Sequence, residues 1–355
     1  MSALLASLPH PIVAAPMAGG PSTPALAAAV SGAGGLGFLA AGYLTPDRVA
    51  QDIAQARTLT ARPFGVNLFA PVELPAQPIE GYAQRMRTAA TRWGVEPGEP
   101  AGGDDAYPEK VEVMIRAAPA VVSFAFGFPE EAVVTALHER GCEVWLTVTR
   151  PEEALTAVGR GADALVVQGI EAGAHRGGTG DTDEYALLPL LRLVAARAPV
   201  PLVAAGGIGD GPALAAVLAA GASAAALGTA FLLTPEAGTS AVHRDALAAP
   251  GTTVLTRAFT GRRARGIENG FIREHEWAAP AAYPHVHQVT APLRAAARAA
   301  GDPDGVNLWA GQAYPLTRAV PAAELVGRLV AGAAAASEAA WRRLNRNRFV
   351  DPAAG

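Results

Sequence analysis

One histidine and one arginine stand among glycines in "GIEAGAHRGG" (Gly169–Gly178), directly after the apolar run "ADALVVQ". Glycine lets backbone approach a ligand closely and adopt positive φ, at an entropic cost in folding. A loop that keeps His175 while shedding bulk around it is a candidate site for proton transfer or substrate orientation; the plainer reading is a turn with a surface histidine. Arg176 beside it is either an anion-steering group or a surface arginine with no role. Two more loops, "AAGGIGDG" (Ala204–Gly211) and "LGTAF" (Leu227–Phe231), offer the backbone N–H groups of Gly206, Gly207 and Gly228, together with the Thr229 hydroxyl. Such groups cradle a phosphate without a lysine, although each loop alone reads equally as a strand-to-helix turn.

Asn67 and Gln168 are neutral amides that both donate and accept. They suit a heteroaromatic ring carrying carbonyls and ring nitrogens, such as an isoalloxazine; their ordinary alternative is a bonded core amide. His285 and His287 alternate in "PHVHQ", but no carboxylate or cysteine stands at ligand spacing, so no metal is expected. They belong on a lid or its interface, and Tyr283 and Tyr314 read as core or interface aromatics. "SGAGGLGF" (Ser31–Phe38) imitates the dinucleotide fingerprint but precedes a strand where the fingerprint should follow one.

Eight short apolar runs must position these groups. They are "PIVAAPM" (from Pro11), "LGFLAAG" (Leu36), "FGVNLF" (Phe64), "AVVSFAF" (Ala120), "EVWLTVT" (Glu143), "ADALVVQG" (Ala162), "PLVAAGG" (Pro201) and "AAALGTAF" (Ala224). Helical patterns over 24–33, 46–59, 130–140, 151–160, 184–197 and 210–220 lie between them. Continuous apolar strands indicate a parallel sheet buried on both faces. Eight β-then-α units predict an α/β fold, the (β/α)8 TIM barrel, with an open doubly wound sheet as the alternative. In a barrel the functional groups collect at the strand ends, which is where all the loops above fall.

Two stretches break the rhythm. Residues 71–108 form an excursion before the fourth strand, and 240–315 carry helical patterns plus "EHEWAAPAAYPHVHQ". A structureless loop of that length is implausible, so 240–315 is expected to be a mainly helical substrate or lid subdomain over the barrel mouth. The expected division is 1–239 barrel, 240–315 lid, and 316–355 a helix returning to the barrel.

Composition narrows the chemistry. The 355 residues carry 28 Lys plus Arg against 32 acids, a net charge of −4, with no basic run longer than "WRRLNRNR". Nucleic acid is therefore not expected as a partner. Lys110 is the sole lysine, which argues against Schiff-base or P-loop chemistry. The lone Cys142 excludes an internal disulfide and fits a reducing compartment. The apolar N-terminus lacks a positive n-region and contains Pro9, Pro11 and Pro16, so it reads as the entry to the first strand. No stretch reaches the roughly 20 apolar residues of a spanning helix. A cytoplasmic protein without a membrane partner is expected, as a monomer or homodimer.

Together these motifs resemble the nitronate monooxygenase family, once called 2-nitropropane dioxygenases. The matching pieces include "APMAGG", "SGAGGLGFLAAGYLTP", "PFGVNLF", "QGIEAGAHRGG", "AAGGIGDGPALAAVLAAGA", "LGTAFLLTPEA", "FTGRRARGIENGFI" and "NLWAGQAYPLTRAVPAAELV". The resemblance spans almost the whole chain and implies an FMN-containing TIM barrel. It implies Ala15, Pro16 and Met17 beside the flavin ring, and Asn67, Gln168 and Gly173 at its polar edge or ribityl chain. It further implies Gly206 and Gly207 with Ala226, Leu227, Gly228 and Thr229 at the phosphate, and His175 as the active-site histidine. Two departures are visible: the family often has glutamine where Ala226 stands, and many members read "SFHFG" where this chain has "SFAFG", so Ala125 replaces a second active-site histidine.

The reaction so implied is oxidative denitrification of an alkyl nitronate, of the propionate 3-nitronate kind, with O2 to a carbonyl compound and nitrite. The rival readings are an NAD(P)H-dependent quinone or enoyl-thioester reductase on the same scaffold, a non-catalytic FMN-binding barrel, and a phosphate-binding isomerase or aldolase barrel.

Overall fold

A computed structural model of the chain describes residues 2–71 and 77–345. Part of the 71–108 excursion and the end of the 316–355 segment, with the last residues of "WRRLNRNR", lie outside them. The eight apolar runs form eight parallel strands: β1 (Ile12–Ala14), β2 (Gly37–Ala40), β3 (Phe64–Phe69), β4 (Val121–Ala125), β5 (Glu143–Val148), β6 (Ala164–Gln168), β8 (Leu202–Ala205) and β9 (Ala224–Leu227). Their order is β1-β9-β8-β6-β5-β4-β3-β2, and a parallel bridge between Val13 and Leu36 joins the two ends. The sheet is a closed TIM barrel.

Helices follow the strands because the turns between them carry caps. Thr23 and Thr45 accept from the N–H groups of Leu26 and Arg48, each ahead of a proline at the first helical position. Asp210 does the same for Gly211–Ala219. The last helix, Ala322–Leu344, packs against Gly211–Ala219 and Pro24–Gly32 and completes the outer ring.

Inside the barrel, Val13, Phe38, Val121, Trp145 and Val203 form one apolar plug, joined by Leu5 of a short helix, Ala3–Ser7, within the N-terminal segment that leads into the first strand. Gly65 makes this plug possible, since a Cβ there would sit 2.3 Å from the Phe38 ring. Glu143 ties the short helix on, accepting from Ser2 Oγ, Leu4 N and Trp145 Nε1.

Residues 240–315 include the helices Ala241–Ala248, Gly270–His275 and His285–Ala299. They also carry two strands the sequence reading did not single out, β10 (Thr253–Thr256) and β11 (Ala264–Ile267). β11 pairs antiparallel with β10 and with the two-residue strand β7 (Ala174–His175). Helix Glu80–Ala90 of the early excursion joins this layer, with Tyr82 and Met86 packed among Phe259, Phe271 and Val286. No helix among the described residues is long and apolar enough to cross a membrane.

Candidate active site at the barrel mouth

The C-terminal ends of the barrel strands and the layer above them enclose a cavity of about 520 Å³. Ala15, Pro16 and Met17 after β1, Asn67 in β3, Gln168 and Gly173 around β6, Gly206 and Gly207 after β8, and Ala226, Leu227, Gly228 and Thr229 at β9 all line it, and so does His175. These residues therefore meet on the walls of one cavity.

The two amides differ in what they present. Asn67 Nδ2 donates to Ser123 O at 3.2 Å and Oγ at 2.9 Å. A carbonyl only accepts, so the network fixes the amide orientation and leaves the Asn67 oxygen for a ligand. Gln168 is spent on its own loop: Oε1 accepts from Gly177 N at 2.8 Å and Arg176 at 3.3 Å, while Nε2 donates to His175 O at 3.1 Å. It anchors the backbone on which His175 is carried, keeping one N–H in reserve.

The glycines of "GIEAGAHRGG" answer to close packing. A Cβ on Gly173 would lie 2.6 Å from Gly311 N, and one on Gly178 would lie 2.1 Å from Thr149 Oγ1 and 2.8 Å from the Glu153 carboxylate. The loop is thus pressed against a polar network on one side and the segment around Ala310 on the other. Glu153 collects the N–H groups of Thr149 and Thr179, which hold its carboxyl below the usual range against the opposing effect of burial.

Arg176 is not a surface arginine. It is buried, pairs with Asp183, and donates to the carbonyls of Gly169 and Gln168. It holds the loop from behind and does not line the cavity. Arg262, also buried, clamps the same loop from above through Arg176 O, Gly178 O and Gly180 O, its guanidinium 4.5 Å from the Phe126 ring centroid. Neither role could be read from sequence, because their partners are loop carbonyls.

His175 is held on β7 by pairing with Ala264, and Arg176 N donates to Arg263 O. The preceding Ala174 has φ +62° and Phe126, across the site, φ +76°. Such left-handed backbone costs of order 1–3 kcal/mol per residue and survives only where its surroundings enforce it. Phe126 N donates to Gly177 O at 2.7 Å, which supplies that enforcement. The imidazole sits among Phe126, Trp309 and Tyr283, with ring centroids 5.6, 5.6 and 5.9 Å away. Its Nε2 lies 2.9 Å from Thr260 Oγ1. Burial, reinforced by the cations Arg262 and Arg294 and by His287, pushes its pKa well below the ordinary histidine value. It is a neutral imidazole at physiological pH, able to accept a proton or donate a hydrogen bond.

Further lining residues escape the sequence reading, among them Tyr43, Thr260, Arg294 and Trp309. His287, expected on the lid, lines the cavity too; its ring stacks on Tyr43 at 4.2 Å, and Tyr283 donates to the Tyr43 hydroxyl at 3.3 Å. His285 lies outside the cavity lining, and Tyr314 is buried in the core with its hydroxyl on Ala249 O at 3.3 Å. Ala125 lines the cavity with no imidazole to offer there.

The family described as nitronate monooxygenase matches residues 2–332. A nitronate monooxygenase from Pseudomonas aeruginosa is 42% identical over 345 residues, covering 92% of this chain and 97% of that protein. Among solved structures, a nitroalkane oxidase from Streptomyces ansochromogenes superposes with a TM-score of 0.92 at 50% identity, over 96% of this chain and 100% of that one. FabK from Thermotoga maritima superposes at 0.76 with 28% identity, over 96% of this chain and 97% of that one.

Proposed function

The chain belongs to the nitronate monooxygenase family of flavin-dependent oxidoreductases, and we propose that it uses FMN to oxidise alkyl nitronates with O2, giving a carbonyl compound and nitrite. The observation that carries this reading is the meeting of a neutral His175 and two glycine loops on one cavity at the barrel mouth.

The walls fit FMN. The backbone N–H groups of Gly207, Gly228 and Thr229 have no acceptor among the described residues, so a phosphate would satisfy donors otherwise left open. Thr229 Oγ1 accepts from Gly311 N at 3.0 Å, leaving its own hydrogen to donate. Asn67 supplies an acceptor and Gln168 one N–H for the polar edge of the ring, with Ala15, Pro16, Met17 and Gly173 shaping its bed. Ala226 and Leu227 bring the second loop to the phosphate. FMN, when bound, supplies the electron chemistry between substrate and O2.

The chain's own residues position the substrate and take up its proton. Phe126, Tyr283 and Trp309 surround the His175 ring, which strengthens each polar contact made there. His175 presents a neutral imidazole to the substrate. With a neutral nitroalkane it takes the α-proton as general base, a step of the kind that contributes ~10²–10⁴-fold. The substrate, of the propionate 3-nitronate kind, and a cytoplasmic location complete the reading; a buried free Cys142 is in keeping with the latter.

The second reading, an NAD(P)H-dependent flavin reductase, draws on the whole-chain likeness to FabK. The test mixes the flavin-loaded protein without O2 with propionate 3-nitronate, and separately with NADH and NADPH. We expect a change in flavin absorbance with the nitronate and none with either nicotinamide. Bleaching by NADH or NADPH with no response to the nitronate would establish the reductase instead.

A further inference from the structure

Helix His285–Ala299 turns one face to the cavity, placing His287, Ala291, Arg294 and Arg298 along it. This spacing of four, three and four residues is one helical stripe. Arg294 is only 8% exposed, and neutral groups hold it on two of its three nitrogens. Nε donates to Thr290 Oγ1 at 3.1 Å, and Nη2 donates to His287 O at 2.9 Å and His287 Nδ1 at 3.2 Å. Burial, with Arg294 next to it, pushes the His287 pKa down to about 3, so its Nδ1 keeps a lone pair for the guanidinium. Burial lowers Arg294 itself to about 10, and it remains a cation at neutral pH.

What Arg294 lacks is a counter-charge. Its Nη1 has no hydrogen-bond partner, and neither Arg294 nor Arg298 pairs with a carboxylate, among the described residues. No aspartate or glutamate among the described residues lines the cavity. A buried guanidinium left without an anion is strongly unfavourable, so the arrangement is complete only when the cavity holds one. The phosphate cradle lies on β8 and β9, whereas Arg294 is held by His287 and Thr290 and acts electrostatically on His175, Tyr43 and Tyr283.

We propose that Arg294 is the anion-binding residue of the substrate site, its free Nη1 bonding the nitro oxygens so that the site selects the nitronate anion over the neutral nitroalkane. This rests on the oxidase reading above. His287 and Thr290 orient the guanidinium, and Tyr43, stacked on His287, fixes that histidine. Arg298, exposed one turn further along, raises the local anion concentration.

The test pairs steady-state kinetics with equilibrium binding of inorganic nitrate, a planar anion that does not react, measured by titration calorimetry on the flavin-loaded protein. A charge-assisted hydrogen bond corresponds to roughly 10- to 100-fold in affinity. In Arg294→Met we expect KM for the nitronate to rise by about that factor. The kcat/KM preference for nitronate over nitroalkane should fall in parallel, and nitrate binding should weaken equally. Arg294→Lys, which keeps the charge, should restore part of both. Unchanged nitrate affinity and unchanged preference in Arg294→Met would overturn the proposal, as would loss of FMN in place of loss of nitrate. If the unmodified protein oxidises no nitronate, the oxidase reading fails, and the nitrate titration still decides whether Arg294 binds anions.

Discussion

The Nε2 of His175 and the Oγ1 of Thr260 lie 2.9 Å apart, and the same oxygen lies 3.1 Å from the carbonyl of Arg262. A threonine has one hydroxyl hydrogen, and a carbonyl can only accept. With that hydrogen on Arg262 O, Thr260 accepts from Nε2–H, which leaves Nδ1 of His175 with the lone pair. Thr260 therefore sets the tautomer, much as second-layer partners orient catalytic histidines elsewhere. We expect His175→Asn to retain flavin and lose about 10²–10⁴-fold in kcat/KM for a neutral nitroalkane. Thr260→Val should lose about 10-fold, the order of one hydrogen bond, and Thr260→Ser should recover it. Retained flavin with unchanged turnover in His175→Asn would remove this residue from the chemistry.

The buried histidines give the protein a defined response to acid. His175 titrates well below the ordinary value, His243 near 4 and His287 near 3, with burial the leading cause for each. Above pH 6.5 these groups are neutral in both folded and unfolded chain and contribute no pH dependence. Below it the unfolded chain takes up protons that the folded one refuses, so stability falls as pH falls, by about 1.4 kcal/mol per pH unit for each histidine. His243 and His287 together should remove about 3 kcal/mol between pH 6.5 and 5.0, read as a drop in the urea midpoint. For a neutral nitroalkane, kcat/KM should show no inflection near pH 6.5. An inflection there would mean that His175 is charged in the resting site.

Arg176 separates architecture from chemistry. Its guanidinium and the Asp183 carboxylate are both buried, and removing one partner of such a pair typically costs about 3–5 kcal/mol. Arg176→Met should lower the melting temperature markedly while the KM for nitronate in the folded fraction stays within about twofold, since the side chain stands outside the cavity. A selective rise in KM without loss of stability would return Arg176 to anion steering.

Much of this site is legible in the sequence because strand ends in a barrel converge. Once eight apolar runs such as "FGVNLF" and "EVWLTVT" are read as parallel strands, Asn67, Gln168, His175, Gly207 and Thr229 must share one mouth. Long-range packing stays hidden. Helix Glu80–Ala90 gives no sign that Tyr82 will donate to Ala258 O, 176 residues away, and nothing local in sequence marks the pairing of β11 with the His175 strand. The burial of Arg176 and Arg262 depends on carbonyls of a loop whose path the sequence does not specify. Arg294 is the instructive case: the stripe 287, 291, 294, 298 is written in the sequence, but only the enclosing cavity shows that it meets no acid.

The phosphate end of the cavity can be tested without turnover. Thr229 Oγ1 accepts from Gly311 N and has its hydrogen free, beside the open N–H groups of Gly207 and Gly228. Replacing the hydroxyl by a methyl group in Thr229→Val removes one donor to a doubly charged phosphate and strands the Gly311 N–H. By the usual strength of hydrogen bonds to charged groups, the FMN dissociation constant should rise by about 10- to 100-fold, measured from flavin fluorescence during titration of the flavin-free protein. Thr229→Ser keeps both the donor and the acceptor and should bind FMN as the unmodified chain does. Riboflavin, which lacks the phosphate, should bind Thr229→Val and the unmodified chain alike. Equal FMN affinity for Thr229→Val and the unmodified chain would place the phosphate away from these loops.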